Sequence, residues 1–497
     1  MQLADRFRKV MQLGGDGWAL EFEGITYSWA QVEALADAIC SALYEAGVKP
    51  HDVVGWVAEN QPGAIAGKAG LAMHGHCCAL INPHLPPQVH AREIREQRFP
   101  AIIGSQHFWD VDGAIEAARE VGTAGLVVKL DGNGGTVRAV AGLEKVGPGK
   151  HRDPMPGYVV ERLSSGTTGP PKRSPQTEEA ILQALKVGMR SDKGGADEIS
   201  IKSSPSIIFR PLAHAGSFSA LLALYSGRPI ALQEKFSIQH TILGAVKRHR
   251  PKVIQLVPAM IRMIWDADVP VEAMSSLIAV RSGTAPLDPQ LQEDFEEKYG
   301  IPILIDYGAT EFGGVACWTL PLHQQFAKAK RGSVGRAVAG VNIRVRDPEG
   351  GELITDGSMG ILEVSVDGKT DGWVATTDLV ALDADGFLYI RGRSDDAIVR
   401  GGFKVLPDEV ARVLRQHPLV ADVAVVGIDD LRLGQIPVAV IETRPGQPAP
   451  DPAELEKLAR DNLTPYQVPA AYRFTDCLPR TPSLKIIRAE VKEMAKG

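Results

Sequence analysis

Residues 28–57, SWAQVEALADAICSALYEAGVKPHDVVGWV, contain a complete helix and the strand that follows it. Ser28 and Gln31 have the spacing of a capping box, in which two side chains satisfy N–H groups at a helix start. The predicted apolar face of this helix consists of Val32, Leu35, Ala38, Ile39 and Leu43. Gly47 is predicted to end the helix, and the apolar run at 53–57 predicts a buried strand.

Short apolar runs of the same kind recur along the chain, and helical patterns separate several of them. They lie at 77–80, 101–104, 126–128, 253–257, 277–280 and 303–305. Buried strands that alternate with helices indicate an α/β fold with mainly parallel sheets. We therefore predict a large N-terminal α/β domain around such sheets.

The pattern changes near residue 340, where short strands follow each other through Gly-Asp turns and predict a β-rich subdomain. After GRSDD, 392–396, the chain offers a helix, two strands, a Pro-rich linker and another helix. This predicts a small, compact α+β C-terminal domain. The boundary is placed near Asp395, which gives an N-terminal domain of residues 1–394 and a C-terminal domain of residues 395–497.

Composition excludes several classes of protein. The chain has 497 residues and a net charge of −6, which argues against a broad surface for nucleic acid or anionic membranes. Its N-terminus has no apolar signal core, and no apolar tract reaches the length of a membrane span. Five scattered cysteines predict no disulfide framework and make the cytoplasm the expected compartment.

The stretch VVERLSSGTTGPPKRSP, 159–175, is the first candidate site. An apolar run leads into small and hydroxylated residues that let backbone amides approach a phosphate, and Lys172 adds a positive charge. It is not a Walker loop, because two prolines separate Gly169 from Lys172. A surface turn rich in Ser, Thr and Gly is the alternative.

Three further stretches are candidates. In ILIDYGATEFGG, 303–314, a strand ends where ligands of α/β sheets gather, and Glu311 suits a hard cation. In residues 372–396, Asp378 is a candidate acceptor for ribose hydroxyls and Arg393 a candidate anchor for ribose or phosphate. In LPRTPSLKIIR, 478–488, Lys485 lies in a predicted loop. Each has an ordinary structural alternative when it is taken alone.

Together, in this order and spacing, the four stretches resemble the adenylate-forming superfamily of acyl-CoA synthetases, peptide-synthetase adenylation domains and beetle-type luciferases. The similarity extends over nearly the whole chain, including FRPLAHAGS at 209–217, GTAPLDPQL at 283–291 and GGFKVLPDEV at 401–410. The resemblance implies an acid–thiol ligase that makes an acyl-CoA thioester through an acyl-AMP intermediate, with ATP, Mg²⁺ and coenzyme A as cofactors.

The resemblance also implies site residues. For adenylation it implies Lys485 at the carboxylate and α-phosphate, Thr310 at the α-phosphate, Glu311 as the metal ligand, and Asp378 and Arg393 at the ribose. The matching positions of the phosphate loop are Ser164, Ser165, Gly166, Thr167, Thr168, Gly169 and Lys172. The matching positions around adenine are Gly283, Thr284, Ala285, Pro286, Tyr307 and Gly308.

For the thioester step the resemblance implies a rotation of the C-terminal domain about a hinge at Asp395. The rotation would bring Gly401 and Gly402 to the site, where glycines leave room for a pantetheine arm. His214 matches the gate residue between the acyl pocket and the thiol tunnel.

Three residues depart from the family pattern, which usually has glycine at each position. They are Arg173, Thr377 and Leu484. A bulky Arg173 beside the phosphate loop suggests a narrower hypothesis, in which the enzyme adenylates weakly and mainly converts a preformed acyl-AMP to a thioester.

The region after the gate, AHAGSFSALLALYSG, contains no carboxylate to hold a substrate ammonium, which disfavours α-amino acids. Small residues there predict a roomy apolar cavity for a hydrophobic or bulky acid, either a fatty acid or a natural-product aryl or polycyclic acid. Loading of a carrier protein, a luciferase-like oxygenase and a non-catalytic acyl-nucleotide binder are the alternatives. No nucleic acid partner or membrane span is expected, and a homodimer is left open.

Overall fold

The computed structural model describes residues 2–132, 134–163, 173–189, 198–309, 312–348, 350–481 and 484–496. These residues form two compact units, one made of Met1–Ile254 with Val269–Leu277 and the other of Gln255–Asp268 with Ile278–Gly497. Among the helices in the described ranges, none has both the length and the apolar character needed to cross a bilayer.

The first unit contains nine α-helices and eleven strands within those ranges, together with a π-helical segment (Ile238–Val246) and a 3-10 turn (Val271–Met274). The helices are α1 (Leu3–Gly14), α2 (Trp29–Ala46), α3 (Pro62–Met73), α4 (Pro87–Gln97), α5 (Gln106–Trp109), α6 (Ala114–Val121), α7 (Glu178–Gly188), α8 (Ala215–Ser226) and α9 (Lys247–His249). The strands are β1 (Trp18–Phe22), β2 (Ile25–Ser28), β3 (Val53–Val57), β4 (Cys77–Ile81), β5 (Ala101–Gly104), β6 (Ala124–Asp131), β7 (Gly134–Ala139), β8 (Tyr158–Leu163), β9 (Arg173–Thr177), β10 (Ser206–Ile208) and β11 (Ile230–Leu232).

A seven-stranded sheet in the order β7-β6-β5-β3-β4-β8-β9 forms the centre of the first unit. Its five inner strands pair in parallel, and β7 and β9 close the two edges in antiparallel pairing. Every residue of β3, β4 and β5 is buried, as expected for parallel strands covered on both faces. The predicted parallel α/β architecture is confirmed.

Helix α2 follows the local signals in its sequence. Ser28 and Gln31 form the reciprocal capping box, and Gly47 ends the helix with a left-handed φ of 100°. One residue of its predicted face is wrong, because Ala38 is exposed whereas Ala36 and Cys40 are buried. The buried stripe is displaced because α2 packs against α1 and α3, whose positions a local pattern does not contain.

The second unit contains fifteen strands and six helices within the described ranges, if β12, whose first two residues belong to the first unit, is counted here. The strands are β12 (Val253–Leu256), β13 (Ala279–Gly283), β14 (Ile303–Ala309), β15 (Gly313–Cys317), β16 (Arg336–Ala337), β17 (Val341–Arg346), β18 (Leu353–Ile354), β19 (Gly360–Val366), β20 (Val374–Leu382), β21 (Leu388–Arg393), β22 (Ile398–Arg400), β23 (Phe403–Val405), β24 (Val420–Asp430), β25 (Gly434–Thr443) and β26 (Ala471–Thr475). The helices are α10 (Pro258–Asp266), α11 (Pro289–Tyr299), α12 (Leu320–Phe326), α13 (Pro407–Leu414), α14 (Pro452–Asn462) and α15 (Arg488–Lys496).

Three sheets organise the second unit. One has the order β12-β13-β14-β15-β16, the next is an antiparallel sheet ordered β18-β17-β19-β20-β21, and the last is ordered β23-β22-β25-β24 with β26 beside β25. The antiparallel sheet is the predicted β-rich subdomain. The predicted domain boundary at residues 394 and 395 lies between β21 and β22 and stays a prediction.

Candidate active site

The turn after β13 carries the segment predicted to hold adenine. Gly283 pairs with Asp306 across parallel strands, and a Cβ at Gly283 would lie 2.6 Å from the Asp306 carbonyl oxygen. A side chain would therefore separate the two strands. The next residue, Thr284, has a φ of +73°, which is strained for a β-branched residue. Strain of this kind is concentrated at functional sites, where surrounding structure maintains it.

Tyr307 and Asp378 come together from two different sheets of the second unit. Tyr307 belongs to β14 and Asp378 to β20, and the phenol hydroxyl donates a hydrogen bond to the Asp378 carboxylate. Both side chains are half-buried. An aromatic ring is thus tied to an acceptor carboxylate, the two kinds of group suited to a base and to ribose hydroxyls.

Arg393 lies directly opposite Asp378 in the register of β20 and β21. Its Nε and Nη2 atoms donate to Thr377 Oγ1 at 3.1 and 2.8 Å. The same two nitrogens form a forked ion pair with the Asp395 carboxylate at 3.0 and 2.8 Å. Thr377, one of the three departures from glycine, therefore helps to hold the arginine that is predicted to bind ribose.

Lys485 is exposed and lies in a tight turn. Thr481 N–H donates to the Lys485 carbonyl at 2.8 Å, and Lys485 N–H donates to Thr481 Oγ1 at 3.1 Å. Leu484, the third departure from glycine, has a φ of +62° in this turn. The turn follows Arg480, whose Nη2 atom contacts Asp422 at 2.7 Å and Glu442 at 2.9 Å.

Gly401 and Gly402 form the turn between β22 and β23. Their φ values are +58° and +88°, a region in which glycine avoids the strain of a side chain. A Cβ at Gly402 would meet no atom within 4 Å, so this backbone borders open space. The neighbouring Phe403 is 57% exposed and stacks on Tyr466 with ring centroids 4.6 Å apart.

In the first unit, His214 immediately precedes α8. A Cβ at Gly216 would overlap the Arg210 carbonyl oxygen and lie 2.7 Å from that of Pro211, so the turn into α8 requires glycine. Asn60 holds the segment before the turn. Its Nδ2 donates to the Arg210 carbonyl at 3.2 Å, and its Oδ1 accepts from Leu212 N–H at 2.8 Å.

Asn60 was not among the predicted site residues. A signal was present, because Asn60 follows β3 at the carboxyl end of a parallel strand, where ligand-binding and positioning groups gather.

Several predicted positions lie outside the described residues. They are Ser164, Ser165, Gly166, Thr167, Thr168, Gly169, Lys172, Thr310 and Glu311. The strands that flank the phosphate loop are described, and Leu163 of β8 pairs with Arg173 of β9. Within the described ranges, no group of three His, Cys, Asp or Glu side chains could hold a metal.

Arg173 belongs to a buried ion-pair network in the first unit. Its guanidinium contacts Glu93, donates to Glu161 at 3.0 Å and donates to the Leu80 carbonyl at 3.1 Å. Arg152 binds the same Glu161 through two hydrogen bonds of 2.8 Å. Burial raises the pKa of Glu161, but the two arginines outweigh this and lower it overall. Packing and charge pairing therefore account for an arginine at this position.

Comparison with known proteins agrees with this arrangement. The family model for AMP-binding enzymes matches residues 7–373, and the model for the C-terminal domain of AMP-binding enzymes matches residues 409–485. The chain therefore belongs to the AMP-binding enzyme family, and the predicted membership of the adenylate-forming superfamily is confirmed.

Similar proteins include ligases and an amide-forming enzyme. The chain is 27% identical to an indoleacetate–CoA ligase of Aromatoleum aromaticum, over 99% of this chain and 98% of that protein. It is 31% identical to a 2-succinylbenzoate–CoA ligase of Bacillus pumilus, over 66% of this chain and 67% of the relative. The solved structure of the amide bond synthetase McbA from Marinactinospora thermotolerans is similar with a TM-score of 0.79 and 25% identity, over 99% of both chains.

Proposed function

We propose that this chain is an acyl-CoA synthetase. It joins a carboxylic acid to coenzyme A in two steps, with ATP consumed and AMP released. The observation that carries the proposal is the contact of Tyr307 with Asp378, opposite an Arg393 that is already held in place. Membership of the AMP-binding enzyme family and the similarity to CoA ligases support the reaction class.

In the first step a carboxylate oxygen attacks the α-phosphorus of ATP. A bond forms between that oxygen and phosphorus, the bond to pyrophosphate breaks, and acyl-AMP remains. Both reactants are anions, so a cation at the reacting oxygens stabilises the charge that develops. Lys485 is the proposed cation, Thr310 and Glu311 are the proposed contacts of the α-phosphate and Mg²⁺, and Ser164–Gly169 with Lys172 form the proposed phosphate loop.

In the second step the thiol of coenzyme A attacks the acyl carbonyl carbon. The carbon–sulfur bond forms, the bond to AMP breaks, and the thiol proton is released. We propose that the Gly401–Gly402 turn admits the pantetheine arm, because its backbone adopts positive φ and borders open space. His214 is the proposed gate, and Asp395 the proposed hinge of a domain rotation between the steps.

The described contacts give no support to the narrower hypothesis, in which the enzyme adenylates weakly and mainly converts a preformed acyl-AMP to a thioester. Arg173 is engaged with Glu93 and Glu161, and Thr377 supports Arg393. Each of these two substitutions thus has a local explanation that does not require a weak adenylation step. We therefore assign both steps to this chain. All five cysteines are free, which supports the proposed cytoplasmic location.

A test of the proposal incubates the full-length protein with ATP, Mg²⁺, coenzyme A and a panel of fatty and aryl acids. Acyl-CoA is detected by mass, and pyrophosphate release is measured in parallel. Asp378→Ala should lower kcat/KM for ATP about 10- to 100-fold, because a charged acceptor for ribose is lost. Asp371→Ala, at an exposed position before β20, is the matched control and should leave kcat/KM unchanged.

Three other outcomes would contradict the proposal. Thioester formation only from synthetic acyl-AMP would support the narrower hypothesis. Transfer only to a carrier protein, or only to an amine, would mean that coenzyme A is not the acceptor.

A further inference from the structure

Lys68 is a lysine in the core of the first unit. It lies in the middle of α3, in which every residue except Ala64 is buried. Its side chain is 2% exposed, and its ammonium group donates a hydrogen bond to Ser217 Oγ. The other described contact is the Trp56 ring, whose centroid lies 5.0 Å from Nζ. An ammonium group has three donors, and a carboxylate is its usual partner when it is buried.

The electrostatic surroundings of Lys68 are unfavourable for a cation. Burial lowers the pKa of Lys68 to about 8, the Cys78 thiol opposes the decrease, and the Arg162 guanidinium adds to it. Among the described residues, no carboxylate contributes to this balance. The lowered pKa means that the ammonium form of Lys68 lacks an anionic partner that would stabilise it.

Arg162 is a second cation near the same helix. It is the penultimate residue of β8, and its guanidinium carbon lies 5.5 Å from the Phe218 ring centroid. Burial lowers the pKa of Arg162, and in the described ranges no carboxylate acts on it. Arg162 and Lys68 thus bring two positive charges to α8 at consecutive residues, Phe218 and Ser217.

The place of Ser217 on α8 adds a third source of positive potential, the N-terminus of the helix. Ser217 is the third residue of the helix, so Lys68 contacts its first turn. The first turn of a helix carries the positive end of the backbone dipole and favours anions. Two side-chain cations and a helix N-terminus therefore converge on one place in the first unit, three residues beyond His214.

We propose that Lys68 and Ser217 form a subsite for a second carboxylate on the acid substrate. The inference rests on the proposed function and refines its substrate class from a purely apolar acid to a dicarboxylic acid. The predicted apolar cavity beside His214 would then have a cationic end. The substrate's distal carboxylate would accept hydrogen bonds from the Lys68 ammonium and the Ser217 hydroxyl, with Arg162 adding a longer-range attraction.

The test compares acids that differ only in a second carboxylate. Cinnamate is paired with 4-carboxycinnamate, and octanoate with octanedioate, in the thioester assay with the full-length protein. The dicarboxylate of at least one pair should have the higher kcat/KM, by about 10- to 100-fold, which is the effect expected of a charged hydrogen bond. A preference for the monocarboxylate in both pairs would overturn the proposal.

Two variants assign the effect to this subsite. Lys68→Met should abolish the preference by raising KM for the dicarboxylate, while kcat/KM for the monocarboxylate changes less than about 3-fold. Ser217→Ala should reduce the preference partially. Lys129→Met, at an exposed lysine of β6, is the matched control. Equal losses of kcat/KM for both acids would place Lys68 at the reacting carboxylate or in a purely structural role. An increase in KM for ATP alone would place Lys68 at a phosphate.

A binding measurement separates this inference from the proposed ligase activity. The dicarboxylate alone should raise the Tm of the wild-type protein but not that of Lys68→Met. That shift without any thioester product would contradict the proposed function and preserve the subsite. Thioester formation with no preference for dicarboxylates and no rise in Tm would support the proposed function and contradict the subsite. Lys68→Met is expected to fold, because an apolar residue of similar volume replaces a buried charge.

Discussion

Thr377 and Arg173 depart from the glycine of the family pattern, and the contacts of each side chain explain the departure. The Thr377 hydroxyl accepts hydrogen bonds from two nitrogens of Arg393. Arg173 fills a half-buried position between Glu93 and Glu161. Both side chains therefore have partners within the fold. A glycine would remove the hydroxyl that Arg393 contacts at position 377, or the guanidinium that pairs with Glu93 and Glu161 at position 173.

Thr377→Gly should weaken nucleotide binding. The guanidinium of Arg393 would lose one of its two anchors, so its predicted position at the ribose would be less defined. Because Arg393 keeps its ion pair with Asp395, we expect a modest rise in KM for ATP, about 2- to 10-fold, with kcat little changed. Steady-state kinetics checks this, with Thr376→Ser as the control that retains a hydroxyl. An unchanged KM would mean that Thr377 does not position Arg393 for ATP.

Lys485→Ala should affect adenylation and thioester formation differently. We expect adenylation, measured by pyrophosphate exchange, to be abolished because the proposed side-chain cation at the reacting carboxylate and α-phosphate is lost. Thioester formation from synthetic acyl-AMP should be largely retained. Lys492→Ala, on α15, is the control and should leave both activities intact. Equal loss of both activities in Lys485→Ala would refute the assigned role.

At the scale of elements, the backbone just before Lys485 stores strain at Leu484. Leu484 adopts a φ of +62°, where a side chain costs roughly 1–2 kcal/mol relative to glycine. Leu484→Gly should raise the free energy of unfolding by about 1 kcal/mol, measured by urea denaturation. Leu484→Ala keeps the Cβ and should bring no such gain. A destabilised glycine variant would show that contacts of the leucine side chain outweigh the strain.

In the first unit, Asn60 holds two distant segments together. Its side chain connects the end of β3 to the segment before His214 through hydrogen bonds to Arg210 and Leu212. The contacts join residues about 150 positions apart. The family pattern around 209–217 marked the segment, but the residue that holds it lies in a distant part of the sequence.

Across the whole molecule, partly buried carboxylates that pair with arginines make stability depend on acid pH. In the second unit, burial raises the pKa of Asp422, but Arg415 and Arg480 outweigh it and lower the pKa below its ordinary value of 3.8. A depressed pKa in the folded state means that the unfolded chain binds more protons at acid pH. Asp422 therefore contributes its full stabilisation above about pH 5, and this is lost as pH falls through the folded-state pKa.

We expect Tm to fall more steeply below pH 4 in the wild type than in Asp422→Asn. At pH 7 the variant should have the lower Tm, because Arg415 and Arg480 lose their charged partner. Thermal unfolding between pH 3 and 7 measures both effects, and Asp429→Asn is the control because this carboxylate shows no described ion pair. Parallel Tm curves for wild type and Asp422→Asn would refute the linkage.

The local sequence determined those features that are stabilised by interactions between residues close together in the chain. The capping box of Ser28 and Gln31, the end of α2 at Gly47 and the buried strand at 53–57 depend on neighbouring residues, so their patterns predict them. Spaced motifs identified the family because each marks a loop that follows a regular element. The parallel fold and the choice of Tyr307, Asp378 and Arg393 as candidates came from sequence alone.

Tertiary structure decided what depends on distant partners. The buried face of α2 excludes Ala38 because α1 and α3 set its orientation. The contact of Tyr307 with Asp378 joins two sheets, and the contact of Lys68 with Ser217 joins two helices 149 residues apart. A pattern of residue types carries no information on such pairings, since burial and the balance of charge arise only when the chain is folded. The sequence thus determined the chemistry of adenylate formation, whereas the folded first unit revealed the buried lysine from which the substrate class is inferred.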